Sequence, residues 1–524
     1  MRRLRQLFYG SALYHLALWR PPPRPIDPKL GTPWPGDKAR GAALLSGVFS
    51  FAGETVQSTT MPWDADRSEG WHAGLHGFEW LADLAAVGGP TAARKAQQAT
   101  FEWLQRYNIY DPLAWRSDVL GDRLFAWLEH FDFIAAGERD RAALTAAVAH
   151  QSRHLAHVAA REGQGVQRLR ALRGLIAAYA VLGARRPLAL AVRQFLQELR
   201  RQIHADGGHL ARSPAAQFVA VRCMVDAQTA FAAARVPVPE RLTQMIERAA
   251  PMLRFFRHGD GRFALFNGAN AGDPAMTDLV LARAGARGRT PSSAPDTGFE
   301  RLQAGGTLAL FDCGALPPPG FDADTHAGLL SFELSHQRER IIVNCGAYHG
   351  PSPEWRAAMR ATAAHSTLIV ADTSSAELGT DGPPARRPNV ARRRTEQDGS
   401  LLVAAKHDGY AVRYGVTHER QLYLSADGDD FRGEDVLTGA AGCGFAIRFH
   451  LHPRAAAELE VPGKSVLIRL AGGEAWRLRA DGAVLGVAES IYLGDGASKK
   501  TQQIVLDGHV GTHGATVRWA IRRA

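Results

Sequence analysis

Cysteine is scarce: Cys223, Cys313, Cys345 and Cys443 are the whole complement of 524 residues, and no two of them form a C-x-x-C pair. That spacing argues against a zinc ribbon or a disulfide framework and leaves ordinary buried thiols. No apolar run approaches the length of an uninterrupted membrane span. There is no Lys-rich tail and no interleaving of aromatic and basic residues of the kind that reads RNA, which ranks nucleic acid below an anionic small molecule or polymer as partner. A clean export signal is missing too. The opening "MRRLRQLFYGSALYHLALW" is basic and then moderately apolar, but it contains His15 and two tyrosines and runs into "RPPPRP" with no small-residue cleavage site. It reads as an amphipathic helix lying against a membrane or against the body of the protein.

Positive charge, by contrast, is in surplus: 62 Lys plus Arg stand against 52 Asp plus Glu. Most of the basic residues are Arg, which grips planar anions through paired hydrogen bonds, so an acidic partner is expected. The length exceeds what one hydrophobic core ordinarily organises, and two domains are expected. The first half carries apolar residues at three-to-four spacing in "GFEWLADLAAVG", "ARKAQQATFEWLQRY", "GDRLFAWLEHFDFIAAG", "DRAALTAAVAHQSRHLAHVAA", "VQRLRALRGLIAAYAVLG" and "PLALAVRQFLQELRRQI". Helices of similar length joined by short loops stack antiparallel and build an open solenoid or a ring. From about Thr307 the pattern turns to alternation, as in "GTLALFDCG", "RIIVNCG", "CGFAIRFHLHP" and "TQQIVLDG", many short strands separated by turn signals. The polar stretch "RGRTPSSAPDTG", Arg287 to Gly298, marks the junction. The expected order is a basic amphipathic segment over 1–40, an α/α toroid (an incomplete helical barrel) over 41–290, and an antiparallel β-sandwich over 291–524.

In "FDADTHAGLLSFELS", Asp322, Asp324 and His326 recur at spacing two, which on an extended chain puts all three on one face. With "DGGHLARSP", "FFRHGDGRFALFNG", "IIVNCGAYHG" and "WRAAMRATAAHSTLIV", this stretch resembles the heparinase II/III type of polysaccharide lyase, over nearly the whole chain and most strongly from Leu253 to Asp372. The resemblance implies β-elimination of an acidic, uronic-acid-containing polysaccharide, and by the same analogy the bacterial cell envelope or periplasm; the N-terminus leaves a cytoplasmic place open. Such chemistry needs the sugar carboxylate neutralised, a base at the adjacent carbon and an acid at the leaving oxygen. The family pattern puts His326, Asn344 and His365 at a structural divalent metal, zinc. Asp324 stands where a reactive histidine is usual, and is a candidate either for catalysis or for the metal. Asn344 replaces an aspartate, a weaker arrangement for zinc because a carbonyl oxygen is a poorer donor than a carboxylate.

Other family features are missing. The "SP" dipeptide is followed by Ala215, Ala216 and Gln217 where the family often has a proton-transferring tyrosine, and "EGQGVQRLRAL" lacks the usual asparagine and histidine. His209 and Tyr348 remain as catalytic candidates, with loop capping and packing as their plainer readings. Arg212, Asn267, Arg356 and Arg360 are candidates for binding substrate, and Arg356 and Arg360 share a face if their segment is helical. Asn270 offers a loop contact. Asp322 and Asp324 also suit a glycoside hydrolase, and a non-catalytic polysaccharide-binding protein is the reading from a different class. His450 and His452 share a strand face, a spacing open to metal but commoner among hydrogen-bonded structural groups. His72, His76, Trp71 and Trp80 suit sugar stacking or, more simply, core packing.

Overall fold

Helical periodicity becomes helix, and alternation becomes sheet. The computed structural model describes residues 2–18, 20, 24–28, 30–31, 33–159, 161–379, 384–439 and 442–524. The chain divides into two compact units, one of Met1–Gln202, Val219–Ile246 and His349–Pro351, the other of Ile203–Phe218, Glu247–Tyr348 and Ser352–Ala524. No described helix is long and apolar enough to cross a membrane. Cys223, Cys313 and Cys345 are buried thiols and Cys443 is half-buried; none is in a disulfide.

In the first unit the helices Ser117–Glu129 and Val166–Val181 form the centre, with every residue of the former buried through Leu128. They cross at two glycines. A Cβ on Gly174 would sit 2.1 Å from the Gly121 carbonyl oxygen, so neither position tolerates a side chain at this separation. The contact brings charge inside with it: Arg173 donates to Asp122 at 2.7 Å and to Asp226 at 3.0 Å, Arg170 pairs with Asp122, and the Trp34 indole donates to Asp226 at 2.7 Å. Charges removed from water persist only when paired in this way. His76 accepts from the Trp103 indole at 2.9 Å, and Trp71 and Trp80 are buried, so that cluster is core.

The N-terminal stretch forms two short helices, Arg2–Tyr9 and Ala12–Leu18. One face packs on the helix Glu138–Val158: Tyr9, Tyr14 and Leu18 are buried, and the Tyr14 hydroxyl lies 2.8 Å from His154 Nδ1. The other face leaves Leu7, Phe8, Leu13 and Leu16 between 58% and 78% exposed.

The second unit carries two large antiparallel sheets. One runs in the order Ala455–Val461, Ser465–Leu470, Ala475–Asp481, Ala515–Arg523, Asp430–Thr438, Thr417–Leu424, Ser400–His407, Val390–Gln397. The other runs Val484–Tyr492, Lys499–His509, Gly444–Leu451, Glu339–Val343, Phe332–His336, Thr307–Asp312, Phe299–Ala304, Ser293–Ala294, with Leu368–Val370 paired to Gly444–Leu451. Strict alternation makes the core: in Thr417–Leu424 every second residue is buried, His418, Arg420, Leu422 and Leu424. Phe332 stacks on Trp519 with centroids 5.5 Å apart, and Phe431 and Phe449 pack around them. Gly433 makes room for that indole, since a Cβ there would meet Trp519 at 2.1 Å. Arg420 crosses the core, bonded to Asp435 at 2.7 Å and to the carbonyls of Leu330 and Ser366 at 2.9 and 3.0 Å.

Candidate functional site

The triplet that suggested one charged face is not on a strand. Residues 321–331 are turns and loop, the strand begins at Phe332, and the Thr325 amide closes on the Asp322 carbonyl at 3.2 Å. The turn sends the three side chains to three environments. Asp322 is buried against Arg387 and accepts from the Gly320 amide at 3.2 Å. Asp324 is two-thirds exposed and faces Arg356 across 3.4 Å. His326 turns inward, 5% exposed.

There it meets His365, brought from 39 positions away. His326 Nδ1 lies 3.0 Å from His365 Nε2, and His365 Nδ1 lies 2.8 Å from the Ala361 carbonyl oxygen. A carbonyl only accepts, so His365 carries its proton on Nδ1, its Nε2 is the acceptor, and His326 Nδ1 donates to it. Burial pushes the His365 imidazole down to about 4, which keeps it neutral near pH 7. Asn267 anchors the loop from the other side: its Oδ1 accepts the His326 amide at 3.2 Å and its Nδ2 donates to the Arg212 carbonyl at 2.9 Å.

Asn344 is fully buried; its Oδ1 accepts the Ser366 amide at 2.9 Å while its Nδ2 has no hydrogen-bond partner among the described residues. The donor set is therefore a poorer one for zinc than a set with a carboxylate. Its third member is a carboxamide whose oxygen is already engaged, and its two imidazoles are bonded to each other. Among the described residues no group of three or more His, Cys, Asp or Glu side chains stands together around a metal-sized space.

The remaining candidates separate into interior and surface. His209 is 1% exposed; its Nδ1 accepts the Ala211 amide at 3.0 Å, its ring abuts Phe321, and burial pushes it down to about 3. Gln217, near the missing tyrosine, locks the same loop, taking the His209 amide at 2.7 Å and donating to the carbonyls of Gly207 and Ala249 at 3.0 and 2.9 Å. Arg212 is a correction to the substrate-binding expectation. Its buried guanidinium pairs with Asp312, donates to the carbonyls of Thr297 and Gly298 at 2.7 and 3.0 Å, and lies 4.7 Å from the Phe299 ring. Those bonds offset a backbone φ of 52°, unusual outside glycine. Arg360 is likewise buried, donating to Thr325 and Gly379 carbonyls at 2.9 and 3.1 Å, although the segment Pro353–Arg360 is helical as the pairing with Arg356 required.

Nearer the surface, Asp324 and Trp355 are exposed and Tyr348 and Arg356 half-buried. Tyr348 and Trp355 are stacked at 6.0 Å, and Trp355 is 42% exposed. Asn270 accepts the Ala347 amide at 3.1 Å and so fixes the loop that carries Tyr348. His450 lies 2.7 Å from Ser490 Oγ and 3.0 Å from the Ala363 carbonyl, and His452 packs edge-on against Tyr492; both are structural.

One arrangement escaped the sequence reading. Ser335 Oγ lies 2.8 Å from His258 Nδ1, and His258 Nε2 lies 3.0 Å from Glu333 Oε2. The order resembles a hydrolytic triad, but Ser335 is 1% exposed and Glu333 also accepts the amides of Leu265 and Asn344 at 2.9 and 3.0 Å. It is an internal pin. Its sequence signal was Glu333 and Ser335 at spacing two in "FELS"; nothing local pointed to His258.

A family profile for the heparinase II/III-like C-terminal region matches residues 286–520. Over 99% of its length the chain is 31% identical to FtsZ-localized protein C of Caulobacter vibrioides, covering 93% of that protein. By that full-length identity the chain belongs to the family of FtsZ-localized protein C, and its residues 286–520 match the heparinase II/III-like C-terminal model. Heparinase III superposes with a TM-score of 0.74 at 14% identity, over 99% of this chain and 91% of the other. Heparan sulfate lyase HepC from Pedobacter heparinus gives 0.63 at 16% identity, over 99% and 88%. At those identities the solved structures establish the fold: an N-terminal helical region followed by two large antiparallel sheets, as expected from the sequence. The fold of those solved structures is thus kept, and in this chain His209, His326 and His365 lie in the interior.

Proposed function

We propose that this chain is a polysaccharide-lyase-fold protein that binds an acidic polysaccharide without cleaving it. The observation that carries the reading is the His326–His365 pair, 5% and 2% exposed and bonded to each other. A general base must reach the proton it removes, and neither imidazole nor His209 meets solvent. The phenol expected after "SP" is replaced by Ala215, Ala216 and a structural Gln217. The ligand contact falls to the group nearer the surface: Trp355 stacked with Tyr348 for a sugar face, and Arg356 for a carboxylate or sulfate.

The test is incubation with heparan sulfate, chondroitin sulfate and an alginate, followed by ultraviolet absorbance for the unsaturated uronate and by calorimetry for binding. Binding without absorbance is expected, weakened by Trp355→Ala and Arg356→Ala. A rise in absorbance that His326→Ala and His365→Ala abolish would restore the lyase reading, and release of reducing ends without absorbance would point to Asp322 or Asp324 as hydrolytic acids.

The full-length match to an FtsZ-localized protein supports a second statement, that this chain too localises with FtsZ. A fluorescent fusion that stays diffuse while FtsZ assembles in the same cells would refute it.

A further inference from the structure

The first unit contains a cavity of about 980 Å³ between the N-terminal helices and two helices of the body, Gly89–Tyr107 and Glu138–Val158. That is the size of site that encloses a drug-sized or larger ligand. Its walls are of two kinds. Leu16, Phe101, Leu104 and Ile109 make an apolar side, and Ala143, Ala146 and Ala147, at helical spacing, supply the open volume opposite them. Arg20 and Arg153 form a cationic end, and none of the described lining residues is acidic.

The histidines in the wall do not add to this charge. The Tyr110 amide donates to His15 Nε2 at 3.2 Å, so His15 holds its proton on Nδ1, 3.4 Å from His150 Nε2. Burial lowers both, His150 to about 4, so each is neutral near pH 7. The positive charge rests on the guanidiniums. Arg153 donates to the Leu18 carbonyl at 3.1 Å, and burial and then the nearness of Arg20 depress its own affinity for a proton. A partly desolvated guanidinium beside a second one is stabilised by an anion placed between them. The apolar lining reaches water: Leu16 is 68% and Ile109 63% exposed, large apolar groups left in solvent.

We propose that this cavity holds an anionic amphiphile, its headgroup against Arg20 and Arg153 and its alkyl chain along Leu16, Phe101, Leu104 and Ile109. A free single-chain acid and a phospholipid drawn from a bilayer share this chemistry, and the test separates them.

The full chain, purified without detergent, is titrated with cis-parinaric acid, which fluoresces in an apolar site. A saturable signal is expected, about tenfold weaker in Arg153→Glu, as loss and reversal of one charge contact imply. Ala146→Phe, which fills the cavity from a half-buried position, abolishes it. Leu16→Gln, exposed and without bearing on folding, weakens it. Thermal unfolding of each variant is read alongside. Vesicles containing phosphatidylglycerol that displace the probe, where phosphatidylcholine vesicles do not, assign the ligand to the bilayer; failure of both to displace it assigns a free single-chain acid. An unsaturable signal, a signal indifferent to Arg153→Glu and Leu16→Gln, or displacement by inorganic phosphate alone overturns the proposal.

Discussion

Acid should unfold the sandwich unit through histidines that the fold keeps neutral. His209, His365 and His450 are all at most 3% exposed, and burial takes them from an ordinary 6.5 to about 3, 4 and 3. Released into water they regain the ordinary value, so between pH 6.5 and about 4 the unfolded chain binds protons that the folded chain refuses. Stability is therefore full above 6.5 and falls as pH falls through that window. One unit below its unfolded pKa each such histidine costs about 1.4 kcal/mol, and the three together about 4 kcal/mol, a large part of the 5–15 kcal/mol typical of a folded domain. The assay is urea unfolding at about pH 7.5, 6.5 and 5.5, with the midpoint followed at constant m. His209→Asn isolates one contribution, because an asparagine oxygen can take the Ala211 amide that His209 Nδ1 accepts at 3.0 Å without binding a proton. That variant should lose about 1.4 kcal/mol of the pH dependence at pH 5.5, one histidine's share. A midpoint that does not move between pH 7.5 and 5.5, or a variant that keeps the full slope, would refute the reasoning.

Arg212→Met leaves Asp312 charged and buried and should cost about 3–5 kcal/mol, seen as a fall in the urea midpoint. Gly433→Ala forces a methyl into Trp519 and should cost about 1–3 kcal/mol, with a change in near-ultraviolet dichroism from the displaced indole. Zinc should not raise the melting temperature: a site filled at a hundred times its dissociation constant would add about 2.7 kcal/mol, and an increase of that size lost in His365→Ala would show that the donor set does hold metal.

Much of the architecture was readable because its causes are local. Periodic apolar residues in "VQRLRALRGLIAAYAVLG" become the helix Val166–Val181, and alternation in "CGFAIRFHLHP" becomes the strand Gly444–Leu451. Only family likeness set His326 beside His365, as ligands of one metal, since no local rule joins residues 39 apart. The shared face of Asp322, Asp324 and His326 was misread because spacing two has that meaning only on an extended chain. The preceding "PPPG", Pro317 to Gly320, was the available warning of a turn. Arg212 and Arg360 look like ligand contacts in the sequence because an arginine's position there does not reveal whether its partners are solvent, substrate or the protein's own carbonyls.

The strand Ala515–Arg523 lies between Ala475–Asp481 and Asp430–Thr438, so it is the seam of its sheet and not an edge. During synthesis the seven earlier strands from Val390 to Thr438 and from Ala455 to Asp481 include no direct pairing across that seam, and two half-sheets with open edges must wait until Ala515–Arg523 has emerged. A ribosome stalled before Ala515–Arg523 would therefore hold a chain in which this one sheet is still two halves with open edges, the state in which a chaperone has most to do.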